Sequence, residues 1–137
     1  MTQDFISAVL WLTINCFYEC RNESIAGQVA VAQVVVNRSK VCSASIKDTV
    51  MLDRQFSWTA IPLSKQGYIN PHSNKKMDAL EICASTSVLA MFSPDLTSGA
   101  TYYHSTKIDK PNWASKRKEI VTIGGHVFYG GNDFRCK

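Results

Sequence analysis

The stretch FYECRNESIAGQVAVAQVVVNR, residues 17–38, decides how the whole chain is read. Its first residues close an apolar run that begins at Phe5. In that run Phe5, Val9, Leu12 and Cys16, or Ile6, Leu10 and Ile14, recur at helical spacing, which predicts a helix from residue 4 to about 19. The run is apolar on nearly every side, as in a helix enclosed by a domain. Asn22-Glu23-Ser24 breaks the pattern, and the Ser24 hydroxyl can cap a second helix from about 25 to 39. Val34-Val35-Val36 taken alone favours a strand, because β-branched side chains suit a pleated surface. Ile25, Val29, Ala32 and Val36 nevertheless keep a helical spacing, and Gly27, Ala30 and Ala32 let another helix approach closely.

Beyond this stretch, residues 41 to 74 read as irregular apart from a helical turn near 46 to 52, and they carry Phe56, Trp58, Pro62, Tyr68, Asn70 and Pro71. A long irregular segment with aromatics in a compact domain is often functional. A third long helix is predicted from about 75 to 92, with Met77, Leu80, Cys83, Ala84, Ser87, Val88 and Met91 facing inward. Two β-like runs follow, Ala100 to His104 and Val121 to Tyr129 around Gly124-Gly125, which can pair antiparallel across the loop holding Trp113. Helices followed by a small antiparallel sheet define an α+β class, with residues 1–137 as one domain.

Composition sets the outer bounds. With 45% apolar and 19% charged residues the chain is globular, and 137 residues bury roughly two thirds of their surface on folding. A net charge of +4 suits anionic surfaces, nucleic acid among them, and equally serves solubility alone. The five cysteines, Cys16, Cys20, Cys42, Cys83 and Cys136, are odd in number and lack paired spacings. They are expected to be reduced core thiols, with Cys136 loose near the C-terminus and no metal set. Asp4 stands where a signal peptide would carry a basic residue, and no cleavage site follows before Glu19. The apolar run is also too short to span a bilayer, so no stable membrane association is expected.

Glu19 is the candidate for chemistry. A carboxyl at the end of a buried helix can be desolvated, which raises its pKa and keeps it protonated as a general acid requires. Glu19 could equally pair with Arg21 or end the helix in solvent.

Residues 17–38 resemble the opening motif of the spore-cortex-lytic cell wall hydrolases of SleB/CwlJ type, in which a Glu-Ala-Arg-Gly-Glu segment precedes Gly-Gln and a helix ending in Asn-Arg. The resemblance continues through Gln55-Phe56-Ser57-Trp58, through DLTSGATYYH from Asp95 to His104, through Trp113, and through IGGHVFY from Ile123 to Tyr129. Two departures stand out. Cys20 replaces Ala, and Asn22 replaces Gly, a position where a left-handed backbone is expected and Asn tolerates it.

The resemblance implies a lysozyme-like, lytic-transglycosylase-like fold and cleavage of the bond between N-acetylmuramic acid and N-acetylglucosamine, with Glu19 catalytic and no cofactor. In a lytic transglycosylase one carboxyl group suffices. It protonates the glycosidic oxygen and then helps the muramic 6-hydroxyl attack the anomeric carbon, leaving a 1,6-anhydro end. A hydrolase would need a second carboxylate, about 5–5.5 Å away if retaining or about 6.5–9.5 Å if inverting. Glu23, Asp48, Asp53 and Asp95 are candidates.

Arg21, Gln33, Asn37, Phe56, Trp58, Tyr103 and His104 are the substrate-binding candidates. Arg21 either contacts substrate or braces the Glu19 loop. Gln33 and Asn37 are four apart and share a helix face. Phe56, Trp58 and Tyr68 can stack on sugars or pack as core. Tyr103 either hydrogen-bonds the acid or the sugar, as a tyrosine does in the transglycosylases that the chain resembles, or only packs within its strand. Two rival readings remain. His104 beside His126 could hold the zinc of an N-acetylmuramoyl-L-alanine amidase. Lys107, Lys110, Lys116, Arg117 and Lys118, with Trp113 and Tyr103, could mark a non-catalytic glycan- or nucleic-acid-binding module, although no nucleic-acid motif is visible.

The expected setting is a monomeric bacteriophage endolysin made in the host cytoplasm, with peptidoglycan strands as partner and a holin opening the way to the wall. A leaderless germination enzyme is the alternative.

Overall fold

The computed structural model describes residues 3–52, 74–131 and 133–136. Phe56, Trp58, Tyr68 and Asp53 lie outside the described residues. Four helices, α1 (Gln3–Cys20), α2 (Ile25–Cys42), α3 (Ile46–Met51) and α4 (Asn74–Phe92), precede three strands, β1 (Tyr102–Ser105), β2 (Glu119–Ile123) and β3 (His126–Tyr129). The predicted α+β arrangement is the observed one.

The start of α2 is set locally. Ser24 is extended, and its Oγ accepts the Gly27 N–H at 3.1 Å, as a capping serine does. At the other end Ser43 turns left-handed, φ 48°, and the chain folds back through Ala44 N to Ser39 O at 3.1 Å. Ala30, Val31, Val34 and Val35 are completely buried, because α2 has core on two sides. Val34 packs with Cys16, Phe17, Cys20, Cys83 and Phe128, whereas Val35 packs with Leu12, Val50 and Ala90. The valine run is helical because burial on both sides outweighs its strand preference.

Three expectations need correction. First, α1 is not enclosed all round. Ile6 and Leu10 are 59% and 53% exposed, and with Phe5, Val9 and Val88 they line an apolar groove along α4. On α4 itself the fully inward residues are Cys83, Thr86, Ser87 and Ala90, while Met77 and Val88 are exposed. Second, Asn22 is not left-handed. Among the described residues only Ser43 and Ser98 are non-glycine positions with positive φ. The turn after α1 closes instead through Glu23 N to Cys20 O at 2.9 Å.

Third, four of the five cysteines are not free thiols. Cys16 in α1 is joined to Cys83 in α4, and Cys42 at the end of α2 is joined to Cys136. Cα separations of 5.7 and 5.5 Å are ordinary for such bridges. Cys20 remains the buried free thiol. Cys136 is therefore anchored, and it ties down Phe134, which is 6% exposed beneath Arg38.

The sheet has the order β1-β3-β2. β1 and β3 pair antiparallel, as predicted, with Tyr102 opposite Tyr129, Tyr103 opposite Phe128, His104 opposite Val127 and Ser105 opposite His126. The run Val121–Tyr129, read as a single segment, is the β2–β3 hairpin, turning at Gly124 (φ 57°) and Gly125. The Trp113 loop contains a 3₁₀ helix, Asn112–Lys116. No helix among the described residues is long and apolar enough to cross a membrane.

Candidate active site

Glu19 sits in the last turn of α1 and is half-buried. Opposite it is Tyr103 of β1, which packs against both core clusters. Burial drives the Tyr103 hydroxyl well above its ordinary pKa, and the Glu19 carboxylate pushes it further, so these two groups lie within electrostatic reach. Arg38 acts in the opposite sense on Tyr103. The neighbouring Cys20 thiol is raised to about 12 by burial, then by the charges of Glu19 and Glu23. A thiol in that state is unreactive and packs as a small apolar group.

The turn that follows Glu19 is held from several sides. Arg21 donates Nη1 to Phe17 O at 3.3 Å, and its guanidinium lies 4.5 Å from the Phe17 ring centre. These contacts fit the bracing role considered for Arg21. Gln28, 2% exposed, donates Nε2 to Arg21 O and Glu23 O, both at 3.3 Å. Its Oε1 accepts the Thr86 hydroxyl at 3.0 Å, so α4 holds the turn through α2. From the sheet side, Glu23 Oε1 accepts the Gly125 N–H at 2.6 Å and lies 3.5 Å from His126 Nδ1.

Gln33 and Asn37 do share a face, but that face is engaged with the segment after α4. Gln33 is 2% exposed, donating to Pro94 O at 3.0 Å and accepting from Leu96 N at 2.9 Å. Asn37 donates to Asp95 Oδ2 and Ala100 O, each at 2.9 Å. These two amides hold the loop that follows α4. Arg38 donates Nε to Thr101 O at 2.7 Å and anchors the same segment one residue before β1.

His104 also has both ring nitrogens engaged. Nδ1 lies 2.9 Å from Ser105 O, a pure acceptor, so Nδ1 carries the proton and Nε2 accepts the Tyr129 hydroxyl at 2.8 Å. His104 and His126 do not lie side by side. Because His104 is opposite Val127 and His126 opposite Ser105, side-chain alternation puts the two imidazoles on opposite faces of the sheet. His126 meets Tyr103 edge-on at 5.1 Å, whereas His104 stacks on Tyr129 and meets Trp113. The pair imagined for an amidase zinc is thus not assembled.

The same alternation separates the two aromatics of the binding-module reading. Trp113 packs on Tyr102 and Tyr129, on the face away from Tyr103. Arg117 of the basic stretch is bonded to Asp133 at 2.6 Å and lies over the Tyr102 ring at 3.6 Å.

Among the described carboxylates offered as a partner to Glu19, Asp95 is saturated. Its Oδ1 accepts Thr97 N and Thr97 Oγ1, and its Oδ2 accepts Gly99 N and Asn37 Nδ2. Asp48 is exposed in the first turn of α3. Two links had not been anticipated, the Glu23–Gly125 bond and the Gln28–Thr86 bond, which join residues 102 and 58 apart in sequence. The one available signal for the first was Glu23 in the motif together with the paired glycines of the hairpin.

A carboxyl at the C-terminal end of one helix, a central buried helix behind it and a small antiparallel sheet as the opposite wall make this a lysozyme-like domain. The chain belongs to the cell wall hydrolase family, which matches residues 22–129 and so begins just after Glu19. It is 34% identical over 120 residues to a spore cortex-lytic enzyme of Bacillus cereus, covering 85% of this chain and 42% of that protein. A spore cortex-lytic enzyme of Halalkalibacterium halodurans is 31% identical over 112 residues, or 80% of this chain and 31% of the relative. The chain thus spans less than half the length of these relatives. Among solved structures, the catalytic domain of the germination-specific lytic transglycosylase SleB from Bacillus anthracis superposes with a TM-score of 0.72 at 26% identity, covering 94% of this chain and 96% of that one. The catalytic domain of Bacillus cereus SleB gives 0.65 at 30% identity, with 90% of each chain covered.

Proposed function

We propose that this domain degrades peptidoglycan by cleaving the glycan strand between N-acetylmuramic acid and N-acetylglucosamine, as a lytic transglycosylase with Glu19 as its acid and base. What supports the reading is a half-buried Glu19 within electrostatic reach of the half-buried Tyr103, while Asp95 and Glu23 are engaged elsewhere. Neutral Glu19 gives its proton to the glycosidic oxygen, the bond to the anomeric carbon breaks, and the N-acetylglucosamine 4-hydroxyl leaves. The carboxylate then takes the proton of the muramic 6-hydroxyl as that oxygen closes on the anomeric carbon. The acid is regenerated and no water is consumed. The similarity to a lytic transglycosylase domain supports this choice over hydrolysis.

The setting we propose is host-cell lysis by an endolysin-like protein that reaches the wall once the inner membrane is breached. The apolar segment 5–18 is the middle of α1, with Leu12, Cys16 and Phe17 in the core, and it delivers Glu19 to the site. Two disulfides suit a protein that works outside the reducing cytoplasm.

Mass spectrometry of digested sacculi tests the chemistry, with 1,6-anhydro ends expected. Reducing ends or released stem peptides would overturn it. Glu19→Gln, which has no transferable proton, should lower the rate about 10²-fold or more while the fold survives. Near wild-type cleavage by a folded Glu19→Gln protein would remove Glu19 from the mechanism.

A further inference from the structure

We propose that Glu23, seated against Gly125 and His126, is a positioning residue that locks the Glu19 turn to the sheet wall carrying Tyr103, and that it transfers no proton in the reaction. The inference rests on the function proposed for Glu19. The turn between α1 and α2 and the β2–β3 hairpin are about a hundred residues apart in the chain, yet Glu23 Oε1 accepts the Gly125 N–H at 2.6 Å. A carboxylate on a backbone N–H is among the stronger hydrogen bonds available to a protein.

The hairpin is shaped around this carboxylate. A Cβ on Gly124 would stand 2.7 Å from Glu23 Oε1, and one on Gly125 would stand 2.9 and 3.2 Å from its two oxygens. Only side-chain-free residues let the hairpin come so near. His126 then continues the link. It is 8% exposed and lies 3.5 Å from Glu23 Oε1 through Nδ1, long for a hydrogen bond, so the contact is chiefly electrostatic. On its other side the imidazole meets the Tyr103 ring edge-on at 5.1 Å. At the near end, Glu23 N donates to Cys20 O, the residue next to Glu19. The order Glu19 turn, Glu23, Gly125 and His126, Tyr103 therefore connects the turn that carries the acid to the wall that carries Tyr103. This also gives the second carboxylate of the motif a task other than chemistry. Burial lowers the His126 pKa and the Glu23 charge opposes that shift, so the imidazole is neutral at neutral pH and responds to Glu23.

The test compares Glu23→Ala, Glu23→Gln, Gly125→Ala and the Glu23→Ala/Gly125→Ala pair with wild type and Glu19→Gln on soluble glycan strands. Glu23→Gln keeps an acceptor oxygen for Gly125 and should lose less than about tenfold in kcat. Glu23→Ala and Gly125→Ala should each lose about 10- to 100-fold in kcat with a smaller change in KM, as expected when a reacting group is misplaced. The pair should be no worse than Glu23→Ala alone, since the added methyl then meets no carboxylate. Glu23→Gln as inactive as Glu19→Gln would make Glu23 a chemical participant and overturn the proposal, as would wild-type kcat in a folded Glu23→Ala or Gly125→Ala. Should Glu23→Ala fail to fold, Gly125→Ala and Glu23→Gln carry the comparison. NMR titration of His126 needs no substrate and separates the two readings. Glu23→Gln should lower the His126 pKa further, and an unchanged titration refutes the contact. A wild type that cleaves no strands refutes the function instead.

Discussion

Removing the Cys42–Cys136 bridge is the perturbation whose size can be worked most directly. The bridge closes a loop of 94 residues, and Cys16–Cys83 closes one of 67. The chain-entropy relation, about 2.1 + 1.5R ln n cal/mol/K, gives about 4.7 and 4.4 kcal/mol at 25 °C for these two loops. Either value is a large part of the roughly 5–15 kcal/mol that holds a domain folded. At about 3 °C per kcal/mol for a chain of this size, Cys42→Ser/Cys136→Ser should melt about 10–15 °C below wild type. Alkylation with mass detection checks the pairing itself. Native protein should take up no label, because Cys20 is buried and its thiol is raised to about 12. Unfolding without reductant should expose one thiol, and reductant should expose all five cysteines. Mild reductant should open Cys42–Cys136 first, since Cys136 is exposed whereas Cys16 and Cys83 are 2% and 0% exposed. Five labels on oxidised, unfolded protein, or an unchanged melting temperature in the double serine variant, would refute the reasoning.

Two further outcomes follow from the site. Burial raises the Asp95 carboxyl, but hydrogen bonds from Thr97, Asn37 and Gly99 outweigh it and hold the pKa below the usual value. Its contribution is therefore present above about pH 4 and lost as pH falls through the lowered folded-state value. Asp95→Asn should lower stability at neutral pH by urea titration and flatten the loss of stability as pH falls below about 4. An unchanged acid profile would show that Asp95 does not hold the loop. Activity on sacculi should survive EDTA, because His104 and His126 face opposite sides of the sheet. Loss on chelation with recovery on adding zinc would restore the amidase reading.

How far the sequence could be read depended on sequence distance. Ser24 as a cap and α2 as a helix were legible because the bond is made to Gly27, three residues on, and Val29, Ala32 and Val36 keep a helical spacing. The sheet was legible as two runs, but not the hairpin within the second, where Gly124-Gly125 punctuates a stretch with strand composition on both sides. Glu19 was legible only through resemblance, since a single Glu after an apolar run is weak evidence of chemistry. The disulfides were not legible, because spacings of 67 and 94 residues carry no local signature and an odd cysteine count argued against them. His104 and His126 were placed together because strand pairing was foreseen without its register, and a register offset of one residue moves a side chain to the other face.

The engagement of Gln33 and Asn37 with the chain has a more general cause. Helical spacing tells which residues share a face but not whether that face meets solvent, substrate or another part of the chain. On α2 the polar residues Gln28, Gln33, Asn37 and Arg38 meet the chain. Gln28 holds the turn at Arg21 and Glu23, Gln33 holds Pro94 and Leu96, Asn37 holds Asp95 and Ala100, and Arg38 holds Thr101. Each of these contacts includes a backbone group of a segment that has no ladder of its own, and such groups need partners when they are buried. A central helix with core on both sides reaches the turn after α1 and the loop before β1 together. Its apolar residues build the core, and its polar residues fix the two segments that present Glu19 and Tyr103. That is why α2 looks neither cleanly amphipathic nor uniformly apolar. It also explains why amides that share one helix face in sequence serve, in space, to hold the segments after α1 and before β1.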